Sequence, residues 1–428
     1  IKFKMKIFAQ SKPLKATISN IAADKSISHR AVIFSLLSSG TNKIENFLFA
    51  EDTEHSLEIA RKLGADIEIK KGIVFIDAPK KIVEPDCILE CGNSGTSMRL
   101  FMGLLASVEG FFVLSGDEYL NERPMKRVGE PLCKVGAKIY GRLDGDKAPL
   151  CIQGGKLDFF KFKSKIASAQ VKTALILAAL NSQGCEYSEP ELSRDHSEKM
   201  LKKMGADIEI SGLNLKVKPL TKPLEPLEIF IPNDPSSAFY YAVAATIIPG
   251  SKIILKNMLL NKTRIEAYEV LRKMGANIKF TPKSEIYEQI GDIEISYAPL
   301  KAIEISENIS WLIDEAPALA IAFACAKGTS VLRNAKELRV KESDRIKVIC
   351  EGLKCCGINV TELEDGFKIT GGEAEPAIIT PYGDHRIAMS FAILGLKCGM
   401  IIENSECIAT SFPNFGKILK QIGANIED

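Results

Sequence analysis

Twelve glycines in two interleaved series constrain this 428-residue chain more than any other feature. The first series is Gly40, Gly110, Gly184, Gly250, Gly328 and Gly399, with gaps of 66 to 78 residues, and each closes an apolar, helix-like run. The second is Gly64, Gly136, Gly205, Gly275, Gly357 and Gly423, with gaps of 66 to 82 residues. Five of the second set share a Gly-Ala-x-Ile context: KLGADIEI, KVGAKIYG, KMGADIEI, KMGANIKF and QIGANIED; the sixth reads CCGINV. Two phase-locked series mean one unit of about 70 residues used six times.

Each unit is expected to carry two helices, the second exemplified by DTEHSLEIARKLG (52–64) and TRIEAYEVLRKMG (263–275). A glycine just past the last apolar turn suits a left-handed C-cap, because it has no Cβ to clash there. After the second glycine the pattern alternates. In ADIEISGLNLKVK (206–218), Ile208 and Ile210 are followed by Leu213, Leu215 and Val217 across Gly212. That period of two reads as a strand pair. The unit is therefore strand, helix, strand, helix, strand, strand. Six units predict two domains of three. The proline-rich stretch 216–235 marks a crossing between them, with a three-two-one division left open.

Composition excludes several classes. With 46% hydrophobic and 26% charged residues the chain is an ordinary globular one. Its longest apolar run, 316–326, is too short to span a bilayer. The opening IKFKMKIFAQ has no signal-peptide core, and Met5 is read as an initiator with residues 1–4 before it. Eleven scattered cysteines without a Cys-x-x-Cys pair favour reduced thiols over a disulfide frame or a metal site. The net charge of +2 gives no global field for nucleic acid, so any anion site must be local.

Local sites are where the first-series helices begin: DKSISHR (24–30), GNSGTSMR (92–99), SAQVKTA (168–174), DPSSAFY (234–240), DEAPALA (314–320) and GDHRIAM (383–389). Small and hydroxyl residues leave backbone N–H groups bare at the positive end of a helix. Several starts also bear cations: Lys25 with Arg30, Arg99, Lys172 and Arg386. A cation in a first turn opposes the dipole and needs another reason to be there. If equivalent starts converge, the ligand carries several negative charges. Further basic groups follow in NERPMKR (Arg123, Lys126, Arg127), SRDHSEK (Arg194) and LRVKESDR (Arg339, Lys341, Arg345). Lys341 and Arg345, four apart, are expected on one helical face. Asp314 and Glu315 follow Trp311 in a semi-apolar context that would raise a carboxylate's pKa, whereas Glu342 lies between cations that would lower it. Asp314 is also a simple capping candidate. His29, His196 and His385 are expected to orient neighbouring Arg or Asp side chains, and His55 to be surface.

The motifs DKSISHR, GNSGTSMRL, ERPM, SAQVKTALILA, DEAPALA, LRVKESDR, GDHRIAMSFA and ATSFPNF, in this order, resemble the 5-enolpyruvylshikimate-3-phosphate synthases over essentially the whole chain. The resemblance implies an α/β fold, a two-domain inside-out α/β barrel of six βαβαββ repeat units, three per domain. It places residues 21–232 in an N-terminal domain on the shikimate-3-phosphate side and 1–20 plus 233–428 in a C-terminal domain, with the active site in a cleft between them. It implies transfer of the enolpyruvyl group of phosphoenolpyruvate to the 5-hydroxyl of shikimate-3-phosphate with release of phosphate, no cofactor or metal, and a cytoplasmic monomer without nucleic-acid or membrane partners.

By position, the resemblance also assigns residues. Lys25, Arg123 and Gln170 are phosphate contacts for phosphoenolpyruvate, with Gly95 admitting backbone approach, and Arg345 and Arg386 clamp its carboxylate. Asn93 and Arg99 support that end. Ser26 and Arg30 hold the shikimate carboxylate; Ser168, Ala169 and Arg194 hold its phosphate, and Gln170 packs on the ring. Asp314 takes the 5-hydroxyl proton and Glu342 protonates the methylene carbon, with Lys25 and Lys341 stabilising charge. The chain departs from the common pattern at Thr410, where many members have lysine, at Leu100 for proline and at Ser168-Ala169 for two serines, features that resemble the family's second bacterial class, whereas Gly95 keeps the glycine typical of inhibitor-sensitive members. The related UDP-N-acetylglucosamine enolpyruvyl transferases lack the DKSISHR pattern, an RNA 3′-end cyclase-like protein would want a basic surface, and a repeat scaffold would not need Lys25, Arg123, Asp314, Glu342 and Arg386 together.

Overall fold

The computed structural model describes residues 4–427; Ile1–Phe3, ahead of the Met5 read as an initiator, and Asp428 lie outside the described residues. Six four-stranded sheets are present among them. In the sheet of Phe160–Lys163, Cys185–Ser188, Ile208–Ser211 and Asn214–Val217, the first strand runs parallel to the second. The second is antiparallel to the fourth and the fourth to the third, giving the spatial order first, second, fourth, third. The helices Ala169–Leu180 and His196–Lys203 fill the two crossovers. The alternating stretch around Gly212 is the hairpin the sequence predicts, with Ile210 opposite Leu215.

The second glycine series has one structural cause. Gly64, Gly136, Gly205, Gly275, Gly357 and Gly423 each stand one residue past the C-cap of a helix, at φ between 74° and 108°. Each makes the same pair of bonds. Gly64 N–H donates to Arg61 O at 2.9 Å, and Ala65 N–H reaches back to Ala60 O at 3.0 Å. The same 5→2 and 6→1 pattern closes the other five, which is the Schellman cap. The residue after the glycine is buried in every case, which explains the recurring alanine and the isoleucine of CCGINV. The first series differs from expectation. Only Gly399 directly follows its helix; the other five lie three to five residues further on, at or just before the start of the next strand. They too hold positive φ.

Helix burial sorts by series. Pro235–Ile247 and Ala316–Ala324 are buried at every residue, and His385–Cys398 at nearly every one. A helix apolar all round belongs in a core, and these three pack on one another. Lys25–Ser35, Gly95–Ala106 and Ala169–Leu180 form the matching core elsewhere. Second-series helices such as Lys262–Lys273 keep a solvent face. Helices are thus inside and sheets outside: an inside-out α/β barrel of βαβαββ units in two domains.

Two compact units emerge, Ala23–Ile231 and the remainder, residues up to Ala22 with those from Pro232. Each holds three of the sheets. The repeats are not simply consecutive. Lys15–Ile18 pairs parallel with Lys252–Leu259, so the repeat it opens continues only at the helix Pro235–Ile247, after the whole of the other unit. Asp234 N–H to Ala22 O (2.9 Å) and Asn233 Nδ2 to Ser19 O (3.1 Å) tie that junction. Lys4–Ile7 lies between Met400–Glu403 and Ile426–Glu427, completing the last repeat. Glu228–Phe230 supplies the first strand to Thr41–Glu45.

Candidate active site

Within Ala23–Ile231, three core helices begin beside one another. Asp24, Ser94 and Ser168 cap them, each accepting from a backbone N–H of the first turn. Small residues at these positions leave the remaining amides open. Lys25 Nζ donates to Asp52 Oδ2 at 2.9 Å. The buried Arg30 donates from Nε to Ser197 Oγ (2.8 Å), from Nη1 to Ser26 O (3.0 Å) and from Nη2 to Thr173 Oγ1 (3.2 Å). Arg99, also buried, donates to Gln170 Oε1 at 2.8 Å and to Pro124 O at 2.9 Å. Gln170 Nε2 in turn donates to Thr96 Oγ1 at 3.0 Å, which links the second and third helix starts. Asn93 Nδ2 donates to Asp117 Oδ2 at 2.8 Å. A Cβ added at Gly95 would stand 2.9 Å from Arg123 Cζ and Nη1 and from Arg99 Nη1, so only glycine lets both guanidinium groups crowd this helix start. Ser26, Ser168, Ala169 and Arg194 are half-buried.

The second group belongs to the other unit. Asp314 Oδ1 lies 3.8 Å from Arg345 Nη1 and 3.6 Å from Arg386 Nε, and Arg386 Nη1 donates to Asp314 O at 3.2 Å. Arg345 is fully enclosed. Its Nε donates to Asp384 Oδ2 at 2.8 Å and its Nη2 to Glu342 Oε2 at 2.5 Å, whereas Nη1 has no hydrogen-bond partner among the described residues. Burial opposes the charge on Arg345, but Asp384 and Glu342 outweigh it and push the pKa up. Arg386 behaves alike: burial acts against its charge, and Asp314 leads the groups that raise it. Both arginines are permanent cations held in fixed poses. Asp384 serves twice, as N-cap to Arg386 N–H (2.9 Å) and as counter-ion to Arg345. Lys341 Nζ donates to Glu337 Oε1 at 3.0 Å.

Several expectations need correction. Lys172 is no open anion ligand: it is buried, 2.9 Å from Glu189 and 2.7 Å from Glu198. Lys341 and Arg345 do not share a helical face, because Lys341 ends the 3-10 helix Lys336–Val340 and Arg345 opens Arg345–Cys355, with non-helical residues between. The setting of Asp314 is ionic, not semi-apolar. His29 orients no Arg or Asp; it is bonded to Ser56 Oγ (2.8 Å), Ser94 Oγ (3.3 Å) and Ser97 Oγ (3.3 Å). Burial first, then Lys25 and Arg30, depress its pKa well below the usual value, so the ring is neutral. His385 Nδ1 meets Thr410 Oγ1 at 3.2 Å.

The counter-ions escaped the sequence reading. Asp52 opens DTEHSLE and Asp384 sits inside GDHRIAM, so an acid beside each basic start was visible, but only the fold pairs it. Glu189 and Glu198 gave no signal, because nothing local marks a carboxylate whose partner lies one helix away.

A family model described as EPSP synthase (3-phosphoshikimate 1-carboxyvinyltransferase) matches residues 8–419. A curated 3-phosphoshikimate 1-carboxyvinyltransferase of Campylobacter hominis is 99% identical over 424 residues, covering 99% of this chain and all of the relative. Another, from Campylobacter curvus, is 65% identical with the same coverage. Among solved structures, an EPSP synthase from Acinetobacter baumannii superposes with a TM-score of 0.87 at 37% identity, over 100% of this chain and 99% of that one. The enolpyruvyl transferase NikO of Streptomyces tendae, 18% identical with a TM-score of 0.80 over 100% of this chain and 99% of its own, shares the fold.

Proposed function

Because the chain belongs to the EPSP synthase (3-phosphoshikimate 1-carboxyvinyltransferase) family, we propose how its own residues divide the work of that reaction. The enzyme transfers the enolpyruvyl group of phosphoenolpyruvate to shikimate-3-phosphate in aromatic amino-acid biosynthesis. In the addition, the 5-hydroxyl oxygen bonds to C2 of phosphoenolpyruvate, the hydroxyl proton leaves and a proton enters at the methylene carbon. In the elimination, the bond from C2 to the phosphate oxygen breaks and a methyl proton leaves, restoring the double bond.

Asp314 takes the hydroxyl proton and Glu342 serves the methylene carbon. Arg345 and Arg386 grip the carboxylate of phosphoenolpyruvate, and Lys25, Arg123 and Gln170 its phosphate, beside Gly95, Asn93 and Arg99. Ser26 and Arg30 take the shikimate carboxylate; Ser168, Ala169 and Arg194 take its phosphate. Lys25 and Lys341 stabilise charge as it develops. The cytoplasmic location and monomeric state are carried over from the family as part of this proposal. The observation that supports the reading best is the Arg345–Asp314–Arg386 arrangement, in which one carboxylate oxygen lies within 4.0 Å of two buried guanidinium groups. Such a carboxylate is oriented, and a fork of fixed cations suits a planar anionic ligand.

Asp314→Asn tests it. The amide is nearly isosteric and still bonds a hydroxyl, so the loss falls on the transition state. The expected result is a kcat lower by about 10²–10⁴ with shikimate-3-phosphate affinity held. Calorimetry showing that affinity collapse while kcat stays would make Asp314 a binding or capping residue.

A further inference from the structure

A buried charge cluster brackets Arg194. Lys172, on the core helix Ala169–Leu180, is 1% exposed. Its Nζ donates to Glu189 Oε1 (2.9 Å), to Glu198 Oε1 (2.7 Å) and to Ser193 O (3.4 Å). Glu189 accepts from Ser193 N–H at 3.0 Å and from Ser193 Oγ at 2.6 Å. Every polar group of Ser193 is therefore held by Lys172 or Glu189. Residues 189–195 form no helix or strand, so side chains rather than a backbone ladder must fix this segment. Glu198 stands in the first turn of His196–Lys203, on the far side of Arg194. One lysine thus anchors the residue before Arg194 and the helix after it. Beyond it, Ser197 Oγ meets Thr173 Oγ1 at 2.5 Å and receives Arg30 Nε at 2.8 Å.

A lysine and two carboxylates sunk in the interior are costly, and apolar residues of the same volume commonly serve stability as well. Placement around a segment without helix or strand gives the cluster a different use. We propose that Lys172, Glu189 and Ser193 are positioning residues that hold the Arg194 segment in the pose that receives the phosphate of shikimate-3-phosphate. This rests on the assignment of Arg194 to that phosphate.

The test uses Ser193→Ala, which removes one hydrogen bond and leaves all charges in place, with Lys172→Met as the stronger variant. Loss of the Ser193 hydroxyl is expected to raise KM and the calorimetric Kd for shikimate-3-phosphate by about tenfold, with kcat and the KM for phosphoenolpyruvate within about twofold. In an Arg194→Ala background, Ser193→Ala adds no further loss of affinity, because both act through one contact. A lowered Tm with unchanged shikimate-3-phosphate KM overturns the inference, as does an equal penalty in both backgrounds. If Arg194→Ala itself leaves that affinity intact, the assignment of Arg194 fails and the clamp falls with it; if Arg194→Ala weakens binding and the Ser193 variant does not, only the clamp fails.

Discussion

At the scale of single residues, the chain trades side chains for cations. Gly95 is the clearest instance, because its missing Cβ is the space two guanidinium groups use. Those groups end flexible stems, so Gly95→Ala is expected to fold normally and displace Arg99 and Arg123. The KM for phosphoenolpyruvate should rise by about tenfold or more, from one charge-assisted contact weakened, while shikimate-3-phosphate affinity stays; an unchanged KM would detach Gly95 from the phosphate end. His29 makes a second case. Its pKa is depressed by burial and by Lys25 and Arg30, so the unfolded chain binds more protons below about pH 6.5. Stability then falls as pH drops below that value, with a slope of at most about 1.4 kcal/mol per pH unit from this ring. Urea unfolding at pH 7.5 and 5.5 should show a smaller difference for His29→Asn than for the parent, and equal differences would contradict the assignment. Basic starts and small capping residues were legible in the sequence. Their counter-ions were not, since an ion pair such as Lys25–Asp52 or Arg345–Asp384 is made by tertiary packing and leaves no local pattern.

Elements repeat because the same cap repeats. Six Schellman caps with a buried residue after the glycine account for the Gly-Ala-x-Ile signature, so local chemistry alone revealed the second-series helices and the hairpins after them. The first-series helices were legible as apolar runs, but five of their six glycines stand three to five residues past the helix end and so do not cap it. Close packing inside the core sets a further constraint. A Cβ at Gly103 would stand 2.4 Å from Ala174 Cα and O, where Gly95–Ala106 lies against Ala169–Leu180. Backbone cannot yield as a flexible side chain does, so Gly103→Ala should cost about 1–3 kcal/mol of stability as overpacking. Differential scanning calorimetry checks this, and an unchanged Tm would mean the two helices separate without cost.

For the whole molecule, the repeat count followed from the glycine spacing, whereas the inside-out arrangement and the exchange of strands, with residues 1–20 in the C-terminal domain, came only through the family resemblance: a strand pairs by backbone hydrogen bonds, and nothing local in Lys15–Ile18 names Lys252–Leu259 as its partner. The exchange predicts an asymmetry. All three sheets of Ala23–Ile231 are built from its own strands, so this segment alone should unfold cooperatively. The segment from Pro232 onward lacks Lys4–Ile7 and Lys15–Ile18, which leaves two sheets incomplete, and should not fold by itself. Circular dichroism melts of the two fragments decide it, and a cooperative transition in the second would contradict this topology. In the proposed assignment the reaction depends on both Lys25 and Arg386. Phosphate release by the parent enzyme, Lys25→Ala and Arg386→Ala at saturating phosphoenolpyruvate and shikimate-3-phosphate tests it most directly. Release should require both substrates in the parent and fall by at least about a hundredfold in each variant, with folding intact, since each loses a charge-assisted contact to developing charge. Near-parental turnover in either variant would contradict the account.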